Sequence, residues 1–88
     1  MRIDSARDLG RFVRDQRRVA GWSQAVLAER AQVSRRWLSD LEAGKPTAEV
    51  GLVFKVVAAL SLVIDVQAAP VPEIDLDAYL DGFSGPDA

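Results

Sequence analysis

Residues 21–45 read GWSQAVLAERAQVSRRWLSDLEAGK, and this stretch decides the fold. It contains the same helix start twice. Trp22-Ser23 precedes Leu27 as Val33-Ser34 precedes Leu38, with each leucine four positions after its serine. A serine at an N-cap accepts from free N–H groups of the first turn, and the apolar residue before it staples to the residue four beyond the cap. The spacing predicts one helix from Gln24 to Ala31 and another from Arg35 to Ala43, ended by Gly44. The short gap between them fits the tight turn of a helix-turn-helix.

Working outward, Ser5 to Ala20 has helical periodicity. Leu9, Phe12, Val13 and Ala20 fall on one face, while Arg7, Arg11, Arg14 and Arg18 recur on another. Ser5 and Asp8 have the capping-box spacing, and Gly21 is placed to end the helix. After Pro46, Thr47 is the expected cap of a fourth helix through Leu60, with Val50, Val53, Phe54, Val57 and Leu60 as its apolar set. Gly51 inside it is a local weakness of about 1 kcal/mol relative to alanine. Ser61 to Gln67 then alternates, Leu62, Ile64 and Val66 against Val63, Asp65 and Gln67, which is the pattern of a short strand. No other segment offers a strand to pair with it, so the simplest partner is the same strand of a second copy. From residue 69 the chain turns acidic after Pro70 and Pro72, and a disordered tail is expected, with a short amphipathic helix from Asp75 to Leu80. The expected organisation is a domain over 1–68, with a dimerisation strand at 61–67, and a tail over 69–88.

Composition narrows the function. The 88 residues hold no cysteine and no histidine, which removes thiolate sites, thiol catalysis and imidazole chemistry. The longest apolar run, Val56 to Ile64, is too short to span a bilayer, and a cytoplasmic protein is expected. The net charge of −2 hides an uneven distribution. Residues 1–46 carry ten Lys/Arg against six Asp/Glu, while residues 47–88 carry one lysine against seven acids. A basic half joined to an acidic tail suggests two surfaces with different partners. No nucleophile–base pair, metal set or phosphate-cradling glycine loop is found, so neither an enzyme nor a cofactor is expected.

A helix entering the major groove must expose residues near its N-terminus that reach base edges while its other face joins the core. The helix starting at Arg35 meets that requirement. Leu38, Leu41 and Trp37 can face inward, leaving Arg35, Arg36, Ser39 and Asp40 outward as candidate base contacts. Arginine donates two parallel bonds to guanine, serine bonds several edges, and an aspartate accepts from the cytosine amino group. Ser23 and Gln24 at one helix N-terminus, Ser34 at the next, and Arg17, Arg18 and Lys45 are the candidate phosphate contacts. Trp22 and Trp37 read as packing residues.

The run Gly21-Trp22-Ser23-Gln24, Leu27-Ala28-Glu29, Val33-Ser34-Arg35-Arg36, Leu38-Ser39, Leu41-Glu42 and Gly44-Lys45 resembles the lambda-repressor-like (XRE) helix-turn-helix family over roughly residues 5–60. Within it the chain looks most like the HipB-type antitoxins, through its short N-terminal lead, the Gly-Trp-Ser-Gln stretch and Leu-Ser-Leu-Val-Ile-Asp-Val. The resemblance implies a mainly α bundle of four to five helices followed by a short strand, Leu62, Val63, Ile64, Asp65 and Val66 included, that pairs across a homodimer. It implies binding to a palindromic operator on double-stranded DNA, repression of its own operon, and a HipA-type kinase toxin as partner. The family's base-reading positions fall on Arg35 and Arg36, and its phosphate-contacting glutamine on Gln24. Gln32 stands where the family favours glycine. Two other readings stay open at this point: a stand-alone or phage-type regulator with no toxin, and a protein-interaction adaptor that keeps the fold without binding DNA.

Overall fold

The computed structural model describes residues 1–70, so the acidic tail lies almost wholly outside the described residues. Four helices follow one another: α1 (Ala6–Val19), α2 (Gln24–Ala31), α3 (Arg35–Glu42) and α4 (Val50–Ala59). Three of them begin as the serine spacing requires. Ser5 Oγ accepts from the Asp8 N–H, Ser23 Oγ from the Val26 N–H and Ser34 Oγ from the Trp37 N–H. The capping box at α1 is displaced by one residue, because the Asp8 carboxylate accepts from the N–H of Asp4 and not from that of Ser5.

All four helices stop in the same way. The residue after the last helical turn takes a positive φ, and the next N–H reaches back to a carbonyl five residues earlier: Trp22 to Arg17, Val33 to Ala28, Lys45 to Asp40 and Leu62 to Val57. Glycine supplies the left-handed residue twice, at Gly21 and Gly44, but Gln32 and Ser61 supply it with φ of 58°. The turn between α2 and α3 therefore keeps its geometry without the glycine. A side chain in that conformation costs about 1–2 kcal/mol, and glycine returns part of this as unfolded-chain entropy. Gln32→Gly is expected to stabilise the chain by about 0.5–1 kcal/mol, read as a rise of a few degrees in the thermal midpoint. A fall would place Gln32 in contacts its exposed side chain does not show.

Leu27, Leu38, Leu41, Val13 and Val56 are the largest wholly buried side chains, joined in the core by Ala28, Ala31, Val53 and Val57. α1 packs on α3, and α2 packs on both α3 and α4. Trp22, Val33 and Trp37 pack against this core from its edge, as stapling residues should, and the Arg30 guanidinium lies 4.5 Å from the centre of the Trp22 ring. At Gly10 the helices come together: a Cβ there would run into the Leu41 carbonyl oxygen.

The structure corrects three details of the sequence reading. α4 begins later than the expected Thr47 cap, at Val50, with Glu49 as an N-cap that makes no side-chain bond. Thr47 lies in a turn after Pro46, and Ala48 packs against the core before the helix starts. The inward face of α4 is Val53, Val56 and Val57 with Leu60 half-buried, whereas Val50 and Phe54 are 68% and 53% exposed. Ala20, expected on the core face of α1, is exposed at its C-cap.

No strand is formed among the described residues. After Ser61 ends α4, residues 63–70 run without a ladder; Leu62 packs on the core, while Val63 and Val66 are exposed. A strand over Ser61–Gln67 has no partner within the single chain.

Candidate nucleic-acid interface

The two Ser-capped helices fix the site. Because Leu38 and Leu41 are held in the core, the opposite side of α3 is turned to solvent. Arg35, Arg36, Ser39 and Asp40 line one open concavity of about 440 Å³, and Gln24 at the start of α2 forms its other wall. The four candidate base contacts and the candidate phosphate glutamine are thus brought together. Beside it lies a second hollow of about 310 Å³ that shares Gln24 and Ser39 and adds Arg14 and Arg18 from α1. Arg14 was not among the residues singled out from sequence. The arginine recurrence along α1 was visible there, but nothing local showed which turn of that stripe faces α3.

Arg17 behaves differently from its neighbours. Its Nε donates to Glu42 Oε2 at 2.8 Å and one terminal nitrogen donates to Glu42 Oε1 at 2.9 Å, a two-pronged pair. The other terminal nitrogen donates to the Trp22 carbonyl at 2.8 Å. The Arg17 side chain is 11% exposed and that of Glu42 is 4% exposed. Hydrogen bonding to Glu42 raises Arg17 above the ordinary arginine value, burial opposes the rise and the charge of Glu42 adds to it. Three of the five guanidinium N–H donors of Arg17 are committed in this arrangement, which ties α1 to the start of α2 and to α3, while the side chain also lines the second hollow with two donors left over. Glu42 is the other residue that sequence reasoning missed. Its partner is 25 positions away, and a glutamate late in a short helix ordinarily reads as surface.

The remaining candidates sit around the hollow. Ser23 and Ser34 are occupied as acceptors by their own helices, but each hydroxyl keeps a proton to donate. The Lys45 ammonium lies 3.8 Å from Asp40, both well exposed, a pairing of little strength in water. Four arginines, Arg14, Arg18, Arg35 and Arg36, face solvent across the two hollows against the single exposed carboxylate of Asp40, because Glu42 is matched by Arg17. That excess of positive charge on a face with a helix N-terminus suits an anionic polymer.

The sequence matches the helix-turn-helix domain family over residues 8–73. The chain belongs to the XRE-type helix-turn-helix family. Its helix-turn-helix is the α2–turn–α3 pair, and it is a helix-turn-helix transcriptional regulator of a DNA-binding family that is typically non-enzymatic. It is 43% identical over 67 residues to the HTH-type transcriptional regulator y4mF of Sinorhizobium fredii (strain NBRC 101917 / NGR234), covering 76% of this chain and 88% of that one. Among solved structures it resembles HipB in the HipB-O4 20mer complex, with a TM-score of 0.74 and 23% identity over 80% of this chain and 99% of that chain. A chain in the HipA-HipB-O2-O3 complex matches with the same TM-score and 21% identity over the same shares. These two likenesses are likenesses of fold. No helix among the described residues is long and apolar enough to cross a membrane.

Proposed function

We propose that this chain is a dimeric, sequence-specific repressor, the antitoxin of a HipBA-type pair, which binds its own operator and a HipA-type kinase toxin in the cytoplasm. The observation that carries the DNA reading is the convergence of Gln24, Arg35, Arg36, Ser39 and Asp40 on one open concavity beside Arg14 and Arg18. In this reading α3 enters the major groove N-terminus first. Arg35 and Arg36 read guanine edges, Ser39 adds a bond, and Asp40 accepts from a cytosine amino group. Gln24, Arg18, the α2 N-terminus, Ser23, Ser34 and Lys45 hold the phosphates and set the register. The antitoxin reading is supported by the shared fold with HipB chains solved in complexes with HipA and with a 20mer, and by the strand-like segment after α4.

The dimer of this reading is supported by two apolar features exposed on the single chain. Val50 and Phe54 stand out from α4, and the segment from Leu62 to Val66 presents Val63, Ile64 and Val66 to solvent. In this reading the segment pairs with its copy, the α4 faces close over each other, and the two α3 helices read the half-sites of a palindrome about 34 Å apart. Phe54→Arg is expected to shift the protein from dimer to monomer in sedimentation equilibrium and to lower operator affinity at least tenfold. A dimer of unchanged strength would remove α4 from the interface.

Fluorescence anisotropy with matched and scrambled duplexes tests the division of roles on DNA. Arg35→Ala is expected to lose about 1–3 kcal/mol on the matched site and little on the scrambled one. Arg18→Ala should weaken both alike and flatten the salt dependence by about one unit of slope. Equal losses on both duplexes for both variants would overturn the assignment. A regulator without a toxin is the second reading, in line with the relative at 43% identity, whose name is that of an HTH-type transcriptional regulator. Co-purification from the native host separates the two: a stoichiometric kinase-like partner supports the antitoxin, and the homodimer alone supports the regulator.

A further inference from the structure

Glu42 is the one buried charged residue of the described core, and its carboxylate does more than neutralise Arg17. It takes two bonds from Arg17, and its Oε1 also accepts from Gln24 Nε2 at 3.2 Å. Gln24 stands where the two arginine-lined hollows meet, since it lines both. A primary amide has a donor end and an acceptor end, and free in solvent it presents either. An ionised carboxylate only accepts. Against Glu42 the amide can therefore turn one way: its nitrogen toward α3, with one N–H committed and the second left over. The opposite orientation would bring two oxygens together at that distance. Glu42 is itself fixed, because both of its oxygens are gripped by a guanidinium whose third side is bonded to the Trp22 carbonyl, at the entrance to α2.

We propose that Glu42 is a positioning residue for DNA binding, holding the Gln24 side-chain amide in a single orientation with its free N–H donor already turned to the phosphate strand. The inference rests on the DNA reading of the same face. It gives the buried network a role beyond packing: the core of the protein sets the polarity of a surface contact. Fixing the rotamer before binding removes part of the ordering that a free glutamine would have to undergo at the interface. Because Arg17 balances the carboxylate, the negative charge that does the aiming does not repel the phosphate it aims at.

The test is a double-mutant cycle on operator affinity in the full chain, at a temperature where circular dichroism shows every variant folded. Gln24→Ala is expected to weaken binding about tenfold, the ordinary worth of one charge-assisted bond. Glu42→Gln is expected to weaken it about fivefold in the parent chain and less than about twofold in the Q24A background. A structural role alone would lower stability and act equally in both backgrounds, so additive losses overturn the proposal while leaving the DNA reading in place. Normal operator binding by both single variants overturns the proposal and the Gln24 phosphate contact alone, whereas no DNA binding by the parent chain overturns the DNA reading with it. If Glu42→Gln does not fold, Glu42→Asp keeps a carboxylate near Arg17 while shortening its reach toward Gln24 and Arg17 alike, and it enters the same cycle with its stability measured beside it. Independently, the two Gln24 side-chain amide protons of the free protein should be widely separated in nitrogen-edited NMR spectra. Signals at the positions of a solvent-exposed glutamine would overturn the proposal.

Discussion

Gly10→Ala is expected to destabilise the protein by about 1–2 kcal/mol, the opposite of what the same change does in most helices. Glycine inside a helix is about 1 kcal/mol worse than alanine, so an unobstructed replacement would raise stability. Gly10 is obstructed on the side that matters. A Cβ there would overlap the Leu41 carbonyl oxygen and sit 2.9 Å from that of Glu42 and 3.1 Å from the Glu42 carbonyl carbon. All three are backbone atoms of α3, with no flexible side-chain end to swing aside. Relief requires α1 to move off α3, which opens the contact of Val13 with the core and stretches the Arg17–Glu42 pair at the same crossing. Overpacking of this kind costs about 1–3 kcal/mol or more, and the gain in helix propensity offsets only part of it. Urea unfolding reads the result directly as a lower midpoint with unchanged slope. A midpoint that rises would mean that α1 and α3 lie further apart than the structure places them.

The contrast between Gly10 and the Ser caps shows what kind of information the sequence displays. Ser5, Ser23 and Ser34 act on N–H groups three residues away, so their effect is legible in the local spacing, and three helix starts follow from it. The groove is legible for a related reason: Arg35, Arg36, Ser39 and Asp40 share one face of one short helix, and the apolar residues between them fix which face that is. Gly10 needs a backbone contributed from α3, and Arg17 needs a carboxylate 25 positions on, so neither announces itself. The pattern in α1 made Arg17 look like its neighbours because periodicity distinguishes faces and does not show which edge of a face is covered. α4 defeated the reading differently. It is apolar nearly all round, so periodicity allows two inward faces, one containing Phe54 and the other Val56, and Val56 is the residue that is buried. Val50 and Phe54 are left as the outward remainder. Gln32 warns against treating a preferred residue as a required one. The strain of a left-handed glutamine is small beside what Val33, Trp37 and Leu38 gain by packing once the turn is made.

Arg17→Met should be the most damaging single substitution on the basic side of the molecule, with an expected loss of about 3–5 kcal/mol. Methionine keeps much of the apolar stem but leaves Glu42 buried without its cation and the Trp22 carbonyl without its donor. The loss comes chiefly from that stranded carboxylate and not from the worth of the pair, because two buried charges give back in mutual attraction little more than their desolvation removes. Arg18→Met, one position along on the exposed face, should change stability by less than about 0.5 kcal/mol. The sign with pH follows from the direction of the Arg17 shift. A cation raised above its ordinary value contributes in full below that value and loses its contribution only as pH climbs through the raised one, so the pair holds across the neutral and mildly alkaline range. The double variant R17M/E42L removes both charges and should regain all but about 1–2 kcal/mol of the parent stability in chemical denaturation. Failure to regain it would mean that the network supports the fold through its hydrogen bonds to Trp22 and Gln24 more than through charge balance. If stability returns while operator affinity does not, the ion pair is retained for what it does to Gln24, since a core of methionine and leucine can hold α1 against α3 but cannot aim an amide.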